Sequence, residues 1–123
     1  MDIQELDPFT LSYIDVMLFY EGETLKDADM TKISESLMQQ IVKDCQDFQE
    51  KANHLITPEN CLSIISTAEV CAGRDFWLTR NFYSIGFWNY SWDTVSGKAL
   101  TKLARSYGKF DVRLGADGFI YSR

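Results

Sequence analysis

Histidine occurs once in this chain, as His54, and proline only twice. A single imidazole leaves any Ser–His or Cys–His couple one candidate base and excludes a histidine-rich metal site. His54 falls near a predicted helix end, where a charged imidazole gains from the helix dipole. Cysteine is scarce too, and Cys45, Cys61 and Cys71 form an odd set that cannot close a disulfide framework. Together with His54 they would suffice in number for tetrahedral zinc, but no paired Cys-x-x-Cys element is present. Each cysteine lies on the apolar stripe of a predicted helix, where a reduced thiol behaves as a small hydrophobe. No metal and no cofactor is therefore expected. Long apolar runs are also missing: the longest, Tyr13 to Tyr20, is broken by Asp15 and falls well short of the ~20 residues that cross hydrocarbon. Met1-Asp2-Ile3-Gln4-Glu5 lacks the cationic start of a secretory signal, so a cytoplasmic protein without a membrane partner is expected. Positive charge is the remaining shortage. Twelve Lys and Arg against 18 Asp and Glu give a net charge of -6, which opposes simple adhesion to nucleic acid or anionic lipid.

What is present is core material. Across 123 residues, 46% apolar and 14% aromatic content supports one domain, residues 1–123, with a sizeable interior. Asp7-Pro8 opens a helix that runs to Glu21, with Gly22 behind it, and its apolar residues cover most of the circumference. Such a helix is either buried or covered by a partner, which leaves a homodimer open. Glu21 to Asp29 reads as a polar loop. Met30, Ile33, Leu37, Ile41, Cys45, Phe48, Ala52 and Leu55 recur at steps of three and four, the strongest period in the chain, and predict a helix from about 29 to 53. Thr57-Pro58-Glu59 reads as the start of a third helix, with Cys61, Ile64, Ile65, Ala68 and Cys71 facing inward and Gly73 ending it. Beyond Gly73, Phe76-Trp77-Leu78-Thr79 and Ile85-Gly86-Phe87-Trp88 read as strands. Ser96 to Tyr107 returns to helical spacing, stopped by Gly108. Phe110, Val112 and Leu114, then Gly115-Ala116-Asp117-Gly118, then Phe119-Ile120-Tyr121, form a hairpin whose turn has neither the lysine of a phosphate loop nor the ligand spacing of a calcium loop. The expected fold class is α+β: N-terminal helices packed on a small antiparallel sheet, with one further helix and a C-terminal hairpin.

Charge is divided along the chain. Residues 1–72 hold 14 acids and four lysines, whereas residues 73–123 hold four acids, eight bases and most of the aromatics. The acidic helical part and the basic, aromatic-rich β/α part allow two readings. In one, the acids are the solvated backs of amphipathic helices, as Asp44 and Asp47 at i, i+3 suggest, and the bases balance them. In the other, Glu21, Glu23, Asp27, Asp29, Asp44, Asp47 and Glu50 stay open to a cationic partner surface, with Trp77, Trp88 and Trp92 as aromatic anchors. The basic part offers a different site. Arg74, Arg80, Lys98, Lys102, Arg105, Lys109 and Arg113 interleave with aromatics, as on surfaces that bind single-stranded nucleic acid.

One stretch is distinctive enough to suggest kinship. Ala72-Gly73-Arg74-Asp75-Phe76-Trp77-Leu78-Thr79-Arg80-Asn81, then Gly86-Phe87-Trp88, Leu100-Thr101-Lys102, Gly108, Asp111 and Gly115-Ala116-Asp117-Gly118-Phe119-Ile120-Tyr121, resemble a group of small bacteriophage and prophage proteins. The resemblance spans residues 72–122 and implies a phage-encoded protein acting inside a bacterial host cell; it implies no particular reaction. Where that family carries a glycine- and histidine-containing link before Gly-Phe-Trp, this chain has Phe82-Tyr83-Ser84-Ile85, so a role resting on that histidine does not carry over. With no catalytic residues singled out, the expectation is a non-enzymatic inhibitor of a bacterial antiviral defence system, of anti-CRISPR or antirestriction type, that binds a basic nucleic-acid-handling surface of its target. The alternative is a single-stranded nucleic-acid or nucleotide-binding accessory protein.

Overall fold

Asp7 accepts a hydrogen bond from the Thr10 amide at 2.8 Å and Pro8 occupies the first turn, so α1 (Pro8–Tyr20) begins where its capping residues dictate. The structure is a computed structural model and describes residues 5–89 and 91–123. Among the described residues three further α-helices follow, α2 (Glu35–Ala52), α3 (Ala68–Arg80) and α4 (Thr94–Arg105), and then an antiparallel pair, β1 (Val112–Leu114) and β2 (Ile120–Ser122). The fold is α+β with a C-terminal hairpin, paired Val112 to Ser122, Arg113 to Tyr121 and Leu114 to Ile120. Gly118, at φ 83°, supplies the left-handed residue of its turn, and Ile120 is fully buried beside α2. None of the described helices is long and apolar enough to cross a membrane.

The helix expected from about 29 starts later. Asp29 caps a single 3₁₀ turn, Met30–Lys32, after which Ile33 runs extended and bridges Ile120. The Ser34 amide donates to the Ile120 carbonyl at 3.0 Å while the Ser34 hydroxyl accepts from Leu37, so Ser34 is both the edge of the sheet and the cap of α2. Apolar periodicity ran across this junction because Met30 and Ile33 face the same interior as α2.

The middle of the chain departs from expectation. Residues 57–67 form turns, not a third helix. Thr57 and Ser63 accept hydrogen bonds from the amides of Asn60 and of Ile65 and Ser66, short-range bonds that compete with helix formation. Cys61 pairs with Trp92 as an antiparallel bridge, so its buried thiol lies in this connection rather than on a helical stripe. Ile64 and Ile65, expected to face inward, are 98% and 92% exposed. The cap lies at Thr67, and the helix that starts there continues through Gly73 and the expected strand 76–79. The segment 85–88 is likewise a turn, closed by the Asn89 side chain on the Gly86 amide.

Packing explains α3. From Cys71 to Arg80 every residue except Arg74 is buried, so α3 is the central helix and carries no amphipathic stripe to read. Its aromatic and β-branched content reflects burial on all sides rather than an extended backbone. Gly73 lets α3 pack directly on the α1 backbone: a Cβ there would lie 2.1 Å from the Phe9 carbonyl oxygen. Phe76 continues the core through rings stacked on Phe48, with centroids 4.2 Å apart. A strand would set Asp75, Trp77 and Thr79 on one face and Phe76, Leu78 and Arg80 on the other, whereas the helix turns all six into the interior.

Candidate functional site

Among the described residues Arg80 is the most connected polar side chain, and it is 3% exposed. Its guanidinium donates to Asp44 at 2.9 Å, the Tyr13 hydroxyl at 3.1 Å, and the carbonyls of Gly108 and Tyr107 at 2.8 and 3.2 Å. The rings of Phe76, Tyr107 and Phe110 surround it. This one side chain ties α1, α2 and α3 to the segment after α4, and burial pushes the Tyr13 hydroxyl far above its ordinary pKa. Arg80 is therefore not available to nucleic acid, nor is Asp44 available to a partner: the two are committed to each other. Asp47, expected on a solvated face, accepts hydrogen bonds from Tyr107 and then Lys51, which hold its carboxyl below the usual range.

The tryptophans separate in the same way. Trp77 is fully buried with no partner for its indole N–H, and Trp92 is buried and donates to Asp75 at 2.8 Å. Neither is a surface anchor. Burial raises the pKa of Asp75, opposed by hydrogen bonds from Arg74 and Trp92. Arg74 is thereby tied to Asp75 and Ser91 and is only partly exposed. Trp88 remains on the surface, 44% exposed. Among the other acids, Glu21 is half-buried, its pKa raised by burial and by Asp111, and Asp29 is occupied in capping Thr31. Glu23, Asp27 and Glu50 are exposed, as is His54 in the turn after α2.

Two grooves of opposite character result. The first, about 560 Å³, runs along α2; Met30, Met38 and Val42 form an apolar floor, and Glu35, Asp47 and Glu50 form its rim, with Lys43 the cation among the lining residues. Glu35, Met38 and Val42 were not singled out from the sequence. The available signal was the pair Met38 and Val42, one position off the main stripe of Leu37 and Ile41.

The second groove, about 750 Å³, lies between α4 and the residues Phe87, Trp88 and Trp92. Lys98, Lys102 and Arg105, spaced four and three apart on α4, line one side, and Trp88 lines the other. Gly97 brings these walls together, and Gly86 seats the Trp88 segment against Thr79 of α3. A Cβ on Gly97 would lie 2.6 Å from the Phe87 carbonyl oxygen, and one on Gly86 would meet Thr79 at 2.4 Å and the Trp88 ring at 2.8 Å. The Arg105 guanidinium sits 5.3 Å from the centroids of both Trp88 and Phe82. Lys109 extends the same surface over Phe82, whereas Arg113 stacks on Tyr121 in the hairpin. Sequence reasoning named these cations but included Arg74 and Arg80, which the fold consumes internally. No protein-family model, no curated protein and no solved structure matches the chain.

Proposed function

We propose that the protein acts by binding rather than by catalysis, presenting the acidic groove of α2 to a cationic segment of a partner protein. The observation that carries this reading is the combination of a methionine-bearing apolar floor with exposed carboxylates at Glu35 and Glu50. Methionine adapts its shape to an incoming apolar surface, and an acidic rim selects and steers a basic one. The chemistry fits a basic amphipathic helix or strand laid along α2. The resemblance to bacteriophage proteins favours a partner inside a bacterial cell. The partner class we favour is a nucleic-acid-handling component of an antiviral defence system, because a surface built to hold phosphates is one that such a groove can occupy.

The test is affinity capture from host cells with the native chain and with a Glu35→Lys, Glu50→Lys variant, both at two salt concentrations. The reading expects a nucleic-acid-handling protein on the native chain, weakened by salt and lost from the variant. Identical partners on both chains would remove the groove from the mechanism. The charge-reversed residues are exposed, so the variant is expected to keep its fold.

A further inference from the structure

The groove between α4 and Phe87, Trp88 and Trp92 is independent of the acidic one, and its chemistry is different. We infer that it is a second binding site, for a phosphate-bearing ligand with a stacking base, supplied by a strand of single-stranded nucleic acid or by a free nucleotide.

Three observations converge. The cavity, about 750 Å³, falls within the range of small-molecule sites, and Lys98, Lys102 and Arg105 line it against one carboxylate, Asp93. That carboxylate is already occupied by the amide and hydroxyl of Ser96, at 3.0 and 2.8 Å. The groove thus carries local positive charge on a chain whose net charge is -6. Second, Arg105 lies 5.3 Å from two exposed rings, Trp88 inside the groove (44%) and Phe82 beside it (58%), which gives bases a platform next to a cation for phosphates. Third, Phe82 adopts φ 60° just after α3, the left-handed position where helices prefer glycine. An exposed phenylalanine gains little from burial there and bears the cost of a left-handed backbone, a combination expected where a side chain is kept for what it contacts.

Single-strand binding uses these elements together, cations along the backbone and aromatic rings under the bases, and needs no base-specific hydrogen bonds. A nucleotide would use the same contacts singly. Because the two cavities share no lining residue, loss of partner capture in the Glu35→Lys, Glu50→Lys variant bears on the acidic groove alone.

The experiment measures fluorescence anisotropy of a labelled twelve-residue oligothymidylate against the full chain over a range of salt, with thymidine monophosphate and ATP as competitors. Saturable binding is expected, with log affinity falling by about 2 per decade of salt if three cations meet phosphates. Competition by the mononucleotides at comparable concentration would identify free nucleotide as the ligand; displacement only by oligonucleotide would identify a strand. A Lys98→Glu, Lys102→Glu variant should lose the salt-dependent component. Trp88→Ala should weaken binding roughly five- to a hundredfold, the range for one lost stacking contact. Phe82→Gly separates function from folding, because it should hold or raise the melting temperature while weakening the oligonucleotide at least about fivefold. Absence of binding by the native chain at low salt, or unchanged affinity in the Lys98→Glu, Lys102→Glu and Phe82→Gly variants, would overturn the assignment.

Discussion

The two grooves are built by different means. The acidic one belongs almost wholly to α2 and the 3₁₀ turn before it, so its shape follows from one helix and its cap at Ser34. The basic one exists only where α4 meets Phe87, Trp88 and Trp92, and it depends on Gly97 letting the Phe87 backbone into close contact. A groove on one helix should survive distant repacking; a groove between elements should be sensitive to a single methyl group. Arg80 links the regions that carry them, because it pairs with Asp44 on α2 and holds the chain leaving α4 through the Tyr107 and Gly108 carbonyls.

The largest effect is expected at that link. Arg80→Ala leaves the Asp44 carboxylate, the Tyr13 hydroxyl and two carbonyls without their donor, and a broken buried pair typically costs about 3–5 kcal/mol. Urea denaturation should show the loss, and both grooves should fail together at 37 °C. Gly97→Ala sharpens the contrast. Its Cβ would overlap the Phe87 carbonyl, so α4 must shift, at a cost of about 1–3 kcal/mol. Oligonucleotide binding should fall while capture through the α2 groove persists, and equal loss of both would show that the grooves are not separable. Ser34→Ala acts in the opposite direction. It removes the α2 cap for about 1 kcal/mol and should disturb the acidic groove first, as hydrogen exchange at the start of α2 would reveal.

The smallest effect expected is a pH dependence. Hydrogen bonds from Tyr107 and Lys51 lower the Asp47 pKa in the folded state, so the unfolded chain takes up its proton first, at about pH 4. The stabilisation is present above that value and is lost as pH falls through the lower folded pKa. Asp93, lowered by its bonds from the Ser96 amide and hydroxyl, behaves alike. Melting temperatures measured from pH 7 to 3 should therefore drop less steeply in Asp47→Asn than in the native chain, and an unchanged slope would remove the Tyr107 contact from the account.

Legibility followed how local each signal was. The Asp7-Pro8 start of α1, the period of α2, the spacing of α4 and the glycine-bounded turn of the hairpin are recorded in neighbouring residues, and the fold reproduces them. Thr57-Pro58-Glu59 misled because a capping hydroxyl serves a turn as readily as a helix. The acid count misled in another way: residues 1–72 are acidic as written, but Asp44 and Asp47 are spent on Arg80, Tyr107 and Lys51.

By itself the sequence determined the fold class, the outer helices, the terminal hairpin and the division of charge, because periodicity, caps and composition act over a few residues. Only the tertiary structure decided that Phe76-Trp77-Leu78-Thr79 is helical, that Trp77 and Trp92 are interior, and that Lys98, Lys102 and Arg105 share a groove with Trp88. A helix buried on every side has no polar face to give it a period, and a charge reveals its partner only when distant segments of chain are brought within hydrogen-bonding distance.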